Sequence, residues 1–257
     1  MIKNYLLRRP LLLTLFLLGY LLFLLVSLPA AQILPRLPLP TGLQLRNING
    51  TLWQGSISEV SWQKYRLQNL QWEVLFSQLW LGMPTIKLDI QDPETITATG
   101  TIGWRAKWHL NDWHIKTAAT TLQNWAPVPL PINATGAIQL NIEQLVIDHQ
   151  ACQTLTGQLN WQQALINTPS GALVLGNPIA NLNCQNNAFT AAIKQDSAAL
   201  HSQVSVQLNL QGQYKLQATL RPDTELPDAL HSALGWLGSP DNKGNILTKQ
   251  EGYLPYF

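Results

Sequence analysis

The stretch SEVSWQKYRLQNLQWEV, residues 58–74, alternates apolar and polar side chains with a period of two. This alternation is typical of half-buried β-strands, because successive side chains of a strand point to opposite faces of a sheet. The period slips at Gln63-Lys64 and again at Gln68-Asn69. We expect a turn or a β-bulge at each of these places.

The same pattern recurs further along the chain after single glycines. The motifs GTIGW, GAIQL, GQLNW, GALVL and GQYKL each carry apolar residues at the second and fourth positions after the glycine. The glycines are Gly100, Gly136, Gly157, Gly171 and Gly212. Five strands that each begin at a glycine indicate a meander-like domain. The predicted fold class is mainly β, an elongated and curved antiparallel sheet domain over residues 43–257.

Helix is expected at two places in that domain. In RPDTELPDALHSALGWLG, residues 221–238, Asp223 or Thr224 would cap a short C-terminal helix and Gly238 would end it. The stretch VLFSQLWLG, residues 74–82, precedes a proline and is expected to be helical or irregular.

The N-terminal part carries a long apolar stretch. Residues 11–28, LLLTLFLLGYLLFLLVSL, contain no charge. As a helix they would span most of the roughly 30 Å hydrocarbon core of a bilayer. Lys3, Arg8 and Arg9 precede the stretch, so the positive-inside rule places residues 1–10 in the cytoplasm. The alternative is a cleavable signal peptide ending near Ala31, but the apolar run is longer than such peptides use, which favours a retained transmembrane helix.

A Pro-rich linker over residues 29–42 follows the apolar stretch. Within it, ILPRLPLPTG carries prolines at positions 35, 38 and 40. Prolines at this spacing favour an extended, semi-rigid spacer between bilayer and domain. A ligand for a proline-recognition domain is the less common alternative.

The charge content excludes one class of partner. Charged residues make up 12% of the chain, and the formal net charge is +2. Because the lysines and arginines are few and dispersed, we expect no nucleic-acid partner.

Two cysteines, Cys152 and Cys184, lie beyond the predicted membrane helix. In an oxidising compartment they are expected to form a disulfide, which stabilises a loop of this size by roughly 3 to 4 kcal/mol. The alternative is two unpaired buried thiols.

No catalytic, metal or cofactor motif is recognisable. The five histidines, His149 included, form no HExxH pair, and GxSxG and P-loop motifs are absent. The best cluster is His109, Asp112 and His114. Since an odd spacing puts the two histidines on opposite faces of a strand, we favour exposed residues at the tip of a hairpin turning at Asn111-Asp112.

Four tryptophans recur every eight to ten residues: Trp53, Trp62, Trp72 and Trp80. Core packing is the more common role of tryptophan in a β domain. The alternative is that some of them form a contact surface for a partner or a lipid.

Several segments together resemble the type II secretion system protein N family, also called general secretion pathway protein N. They are GTLWQG, LQNLQWEV, CQTLTGQLNW, GALVLGNPIANLNC and the LRPD…LPDALHSALGWLG…NKGN region. The resemblance implies a single-pass protein of the bacterial inner membrane with its C-terminal domain in the periplasm. It would belong to the apparatus that exports folded proteins across the outer membrane. The family has no recognised catalytic residues.

Two hypotheses follow. In the first, the chain is a non-catalytic interaction protein that docks to other secretion subunits or to the bilayer surface. In the second, its curved sheet binds lipid in an apolar groove, similar to the lipid-transport bridges of bacterial envelopes.

Overall fold

The computed structural model describes residues 3–125, 132–148, 151–169, 171–235 and 237–253. The chain divides into two compact units, Met1–Val74 and Leu75–Phe257. Both units contain antiparallel β-sheet and few helices. The prediction of a mainly β chain is confirmed.

The described part of the first unit contains two α-helices and three strands in chain order, besides a short 3₁₀ turn. They are α1 (Lys3–Val26), α2 (Ala30–Ile33), β1 (Leu43–Gly50), β2 (Gln54–Trp62) and β3 (Tyr65–Val74). The strands pair antiparallel in the order β1, β2, β3. The predicted interruptions are confirmed: Gln63 and Lys64 form the turn from β2 to β3, and Asn69 has a left-handed φ of 50° within β3.

Helix α1 covers the apolar stretch, and the large apolar side chains from Leu12 to Val26 are exposed. In the part of the chain that the structure describes, no helix has both the length and the apolar character needed to cross a membrane. The transmembrane helix over residues 11–28 therefore stays a prediction.

The Pro-rich segment is less extended than its prolines indicate. Residues Ala30–Ile33 are α-helical and Leu34–Arg36 form a 3₁₀ turn, so the expected extended form is found only from Leu37 onward. Pro35 fits this turn because the first residues of a helix need no backbone N–H donor. Ala30 is fully buried. This part of the segment is thus packed within the first unit.

In its described residues, the second unit is a long meander with three short helices. Its strands are β4 (Thr85–Asp92), β5 (Ile96–Arg105), β6 (Lys107–Ala118), β7 (Asn133–Ile147), β8 (Cys152–Thr168), β9 (Gly171–Gly176), β10 (Ile179–Gln185), β11 (Ala188–Asp196), β12 (Leu200–Leu208), β13 (Gln213–Pro222) and β14 (Ile246–Tyr253). Its helices are α3 (Phe76–Leu79), α4 (Ala119–Trp125) and α5 (Asp228–Leu234).

Strands that follow one another in the sequence also pair in this unit, with one exception. From β4 to β8 and from β10 to β14 each strand pairs antiparallel with the next. Strand β8 is long enough to pair with β10 through residues 156–160 and with β9 through residues 164–168. The meander expected from the sequence is therefore confirmed.

The disulfide lies in the buried cluster of this sheet. Cys152 and Cys184 are bonded, with their Cα atoms 5.6 Å apart, and link β8 to β10. Cys152 is 1% exposed and packs with Leu145 and Leu155. The predicted disulfide is thus confirmed.

The predicted glycine entrances are only partly correct. Gly171 begins β9 and Gly212 directly precedes β13. Gly100, Gly136 and Gly157, however, lie inside β5, β7 and β8. At the first two, the missing side chain leaves room for a tryptophan ring from the neighbouring strand, as described below.

The predicted helices are present, but one is shorter than expected. The stretch before Pro84 forms the single turn α3, as predicted. Helix α5 begins only at Asp228. The Asp223 carboxylate accepts from the Thr224 N–H, and the Leu226 N–H donates to Asp223 O at 3.1 Å. Residues 223–226 therefore form a separate turn before the helix. The seven-residue helix α4 was not predicted.

Candidate docking surfaces

Trp72 of the first unit covers a glycine on the neighbouring strand. Gly55 and Trp72 are directly paired across β2 and β3. A Cβ atom at Gly55 would lie 2.4 Å from the Trp72 ring. The indole N–H donates to the carbonyl of Leu52 at 3.1 Å. An aromatic ring over a cross-strand glycine supplies the packing that the glycine lacks, which accounts for the glycine that ends the GTLWQG motif.

The same arrangement occurs twice in the second unit. A Cβ at Gly100 would lie 2.4 Å from the ring of Trp113, whose indole N–H donates to Thr101 O at 2.9 Å. A Cβ at Gly136 would lie 2.8 Å from Trp161 Nε1. The indole N–H of Trp161 donates to Thr135 O at 3.0 Å. We call these three the indole-glycine pairs: Trp72 with Gly55, Trp113 with Gly100, and Trp161 with Gly136.

The other three tryptophans predicted as contact residues differ from Trp72. The indole N–H of Trp53 donates to Leu25 O at 2.8 Å, and that of Trp62 to Thr41 O at 3.3 Å. Trp62 as a residue is nevertheless 43% exposed. Trp80, in the second unit, is 93% exposed. A contact role for these residues stays a prediction.

Trp80 belongs to a larger exposed apolar region at one end of the second unit. Phe76, Leu79 and Leu81 are exposed beside it on α3 and the loop that follows. Trp104 and Trp108 face each other across the turn from β5 to β6 and are 50% and 49% exposed. We call residues 76–82 and 104–108 together the aromatic end.

Backbone pairing just after the loop brings the two parts of the aromatic end to the same end of β4 and β5. The N–H of Trp104 donates to Pro84 O at 3.1 Å, and Gly103 pairs with Thr85 at the start of β4. Sequence reasoning missed Trp104 and Trp108. The motif WRAKW, two tryptophans around a three-residue turn, was the signal that could have revealed them.

The predicted hairpin at Asn111-Asp112 is wrong. Strand β6 runs without a break through this region, and Asp112, with a φ of 54°, forms a bulge. The extra residue also reverses the expected orientation of the histidines. His109 pairs with Gly103 and His114 with Thr99. Because residues 99 and 103 share one face of β5, the two histidines lie on the same face.

A cluster that the sequence did not reveal surrounds His201 at the start of β12. Its Nδ1 contacts Asp196, and its Nε2 lies 3.0 Å from Asp223 Oδ2. The pKa of the Asp223 carboxyl is lowered, first by the hydrogen bond from the Thr224 N–H and then by the one from His201. Asp196 and His201 are paired across the turn from β11 to β12, whereas Asp223 follows β13, so the sequence does not show that the three meet.

Asp196 and His201 also line an open hollow of about 840 Å³ with Lys194 and Arg221. Its other lining side chains are mainly amides and hydroxyls, which makes it a polar hollow. Across the described ranges, no three His, Cys, Asp or Glu side chains form a group that could hold a metal ion. His149 lies outside the described residues.

Comparison with known proteins gives one consistent result. Residues 41–248 match the family model described as type II secretion system (T2SS), protein N. A type II secretion system protein N from Aeromonas hydrophila is 34% identical over 250 residues, covering 96% of this chain and 99% of the relative. The protein of that name from Vibrio cholerae is 33% identical over 234 residues, covering 89% and 92%. No solved structure matches the chain.

Proposed function

Because the chain belongs to the type II secretion system protein N family, we propose that it is a non-catalytic component of a type II secretion system. In this role it supports the export of folded proteins from the periplasm across the bacterial outer membrane. The family match over residues 41–248 includes strands of both units, and the Aeromonas relative is covered almost end to end. A subunit without chemistry of its own acts by binding other subunits.

We place the β units in the periplasm and residues 1–10 in the cytoplasm, with residues 11–28 crossing the inner membrane. Two features support this location. The large apolar side chains between Leu12 and Val26 are 43% to 76% exposed. A disulfide such as Cys152–Cys184 also persists in oxidising compartments such as the periplasm.

The observation that carries the docking proposal is the edge strand β14. Among the described residues, β14 pairs only with β13, and its other edge is unpaired. Leu247 and Tyr253 on this strand are 63% and 60% exposed. An unpaired edge offers backbone donors and acceptors to a strand from a partner, while exposed side chains provide selectivity. We therefore propose β14 as a docking edge for another secretion subunit.

Of the four tryptophans predicted as contact residues, Trp62 and Trp80 fit a contact role best because their rings are exposed. Trp72 has a packing role in its indole-glycine pair. The alternative of a lipid-binding groove is not favoured by the family or by the names of the relatives.

The test is photo-crosslinking in cells that secrete through a type II system. A crosslinking residue is placed at Leu247 or Tyr253, and as a control at Ser205, which is exposed on the interior strand β12. We expect a specific secretion subunit to be captured from the two β14 positions and not from position 205.

Secretion is then measured with the variant Leu247→Asp, which puts a charge on the edge, and with Ser205→Asp as the matched control. Loss of secretion for the first and normal secretion for the second are expected. Normal secretion by both variants, with no subunit captured from β14, would refute the docking edge.

A further inference from the structure

The aromatic end exposes more large apolar side chains than a solvated surface loop usually does. Trp80 is 93% exposed, Leu81 64%, Leu79 49% and Phe76 47%. Contiguous exposed apolar groups mark sites of contact with a protein or a membrane. The backbone and charges around these side chains distinguish between those two possibilities.

The loop is suited to an apolar medium because it carries no charge and several of its N–H groups are hydrogen-bonded within the unit. Residues 75–86 contain no Asp, Glu, Lys or Arg. The N–H groups of Leu81 and Gly82 donate to the carbonyls of Gln78 and Leu79, each at 3.0 Å. Met83 N–H also donates to Gln78 O, at 3.2 Å. Side chains here can therefore enter hydrocarbon without leaving these donors unsatisfied.

The neighbouring hairpin adds the other features of a membrane interface. Arg105 and Lys107 lie between Trp104 and Trp108 at its tip. Tryptophan prefers the headgroup level of a bilayer, and lysine or arginine beside it binds anionic headgroups. A protein partner would need a complementary acidic and apolar surface, whereas a bilayer with anionic lipid offers both features together.

Three carboxylates on neighbouring strands lie away from the side chains of Trp80 and Leu81 or are already hydrogen-bonded. Asp112 and Glu143 line a hollow of about 560 Å³ together with Gln78 and Met83 of the loop, whereas Trp80 and Leu81 do not contribute to it. Asp148 follows Ile147, which pairs with Trp108, and accepts hydrogen bonds from the Ala151 N–H and from the Gln153 side-chain amide. The Gln153 side-chain oxygen accepts from Lys107 Nζ, so Lys107 would exchange this contact for a lipid phosphate on insertion.

We propose that the aromatic end inserts into the interfacial layer of an anionic phospholipid bilayer. Trp80 and Leu81 enter the acyl boundary, and Arg105 and Lys107 bind lipid phosphates. The proposal deepens the proposed membrane location. Its test uses lipid alone, so it succeeds or fails independently of docking to other subunits.

The experiment uses the full chain in vesicles of phosphatidylethanolamine with phosphatidylglycerol, and in vesicles of phosphatidylcholine alone. A nitroxide label is attached to Trp80→Cys or Leu81→Cys, since both native cysteines are already paired. The matched control is Glu94→Cys, exposed in the turn at the opposite end of β4 and β5. About eight residues of strand separate the two ends, or roughly 25 Å.

Collision of the label with oxygen, which concentrates in lipid, is compared with its collision with a water-soluble nickel chelate. We expect a severalfold higher oxygen-to-nickel ratio at positions 80 and 81 than at position 94 in the anionic vesicles. The collision data also give the ratio of inserted to water-exposed label. Replacing Arg105 or Lys107 by Gln should lower this population ratio by about fivefold for each charge removed in the anionic vesicles. In phosphatidylcholine vesicles the two substitutions should change the ratio much less.

Two results would overturn the proposal. In the first, labels at 80 and 81 meet the nickel chelate as often as the label at 94 in both kinds of vesicle. In the second, they are shielded only when another secretion subunit is added, which would assign the aromatic end to a protein partner. Far-UV circular dichroism of each labelled chain checks that it is folded, and the label at Leu81 leaves Trp80 intact.

Discussion

The substitution Gly100→Ala tests whether the indole-glycine pairs hold the sheet together. The new Cβ would lie 2.4 Å from the Trp113 ring, which is only 9% exposed and donates its N–H to Thr101 O. Gly100 does not have a left-handed φ, so its backbone accepts alanine without strain. The cost must therefore come from displacing the ring.

The magnitude can be worked from three contributions. Forcing extra atoms into a packed site costs about 1 to 3 kcal/mol. Weakening the hydrogen bond from the indole costs about 0.5 to 1.5 kcal/mol. The lower backbone entropy of alanine in the unfolded chain offsets about 0.4 to 1 kcal/mol. We expect Gly100→Ala to lower the free energy of opening of β5 and β6 by about 2 to 3 kcal/mol.

The assay is amide hydrogen exchange of β5 and β6, which reports local opening free energies without requiring the whole chain to unfold in one step. The same substitution is also made in a Trp113→Ala background. Without the ring, alanine at position 100 should instead stabilise by about 0.4 to 1 kcal/mol. If Gly100→Ala costs the same in both backgrounds, the ring is not the cause and our reasoning is refuted.

Three further predictions concern the disulfide, a carboxylate and an indole hydrogen bond. Replacing both Cys152 and Cys184 by Ala removes a disulfide that closes a loop with a sequence separation of 32. We expect the free energy of unfolding, measured with urea, to fall by about 4 kcal/mol. A variant as stable as the parent would contradict this prediction. The pKa of Asp223 in the folded chain is below its usual 3.8. The ionised carboxylate therefore contributes fully to the stability of the fold above pH 3.8, and this contribution is lost as the pH falls through the lower folded pKa. Carboxyl NMR titration should show the low midpoint, and Asp223→Asn should abolish this part of the acid sensitivity. Trp161→Phe should lower the free energy of unfolding by about 0.5 to 1.5 kcal/mol because the indole N–H donor is lost. Trp80→Phe should change it by less than about 0.5 kcal/mol. Equal urea midpoints for the two variants would refute this distinction.

Local periodicity predicted the parts of the fold that depend on neighbouring residues. The alternation in residues 58–74 identified β2, β3 and the turn between them. Successive side chains of a strand point to opposite faces of the sheet, so the sequence alone shows which side chains face the same way. The disulfide was also predictable, because two cysteines in an oxidising compartment allow only one pairing within the chain.

Features that depend on pairing between strands were not predictable. The bulge at Asp112 arises where β6 pairs with β5 and β7, and it places His109 and His114 on one face despite their odd spacing. Asp223 was expected to cap a helix, but its carboxylate is bonded to Thr224 and to His201 from another strand. In both cases a tertiary hydrogen-bonding requirement overrides a local pattern.

The tryptophans illustrate the same limit, and the cross-strand glycine resolves it. In sequence, Trp72 and Trp80 both belong to the series of tryptophans that recur every eight to ten residues. In the structure a glycine on the adjacent strand receives the ring of Trp72, whereas Trp80 projects from a loop and is 93% exposed. A ring that covers a glycine is needed for the sheet itself, so changing it should affect stability first. A ring that does not pack on the sheet exposes apolar surface, whose hydration is unfavourable, and contact with a membrane would remove that surface from water. Stability measurements on Trp72→Ala and Trp80→Ala can therefore separate the packing residues from the contact residues before any partner is known.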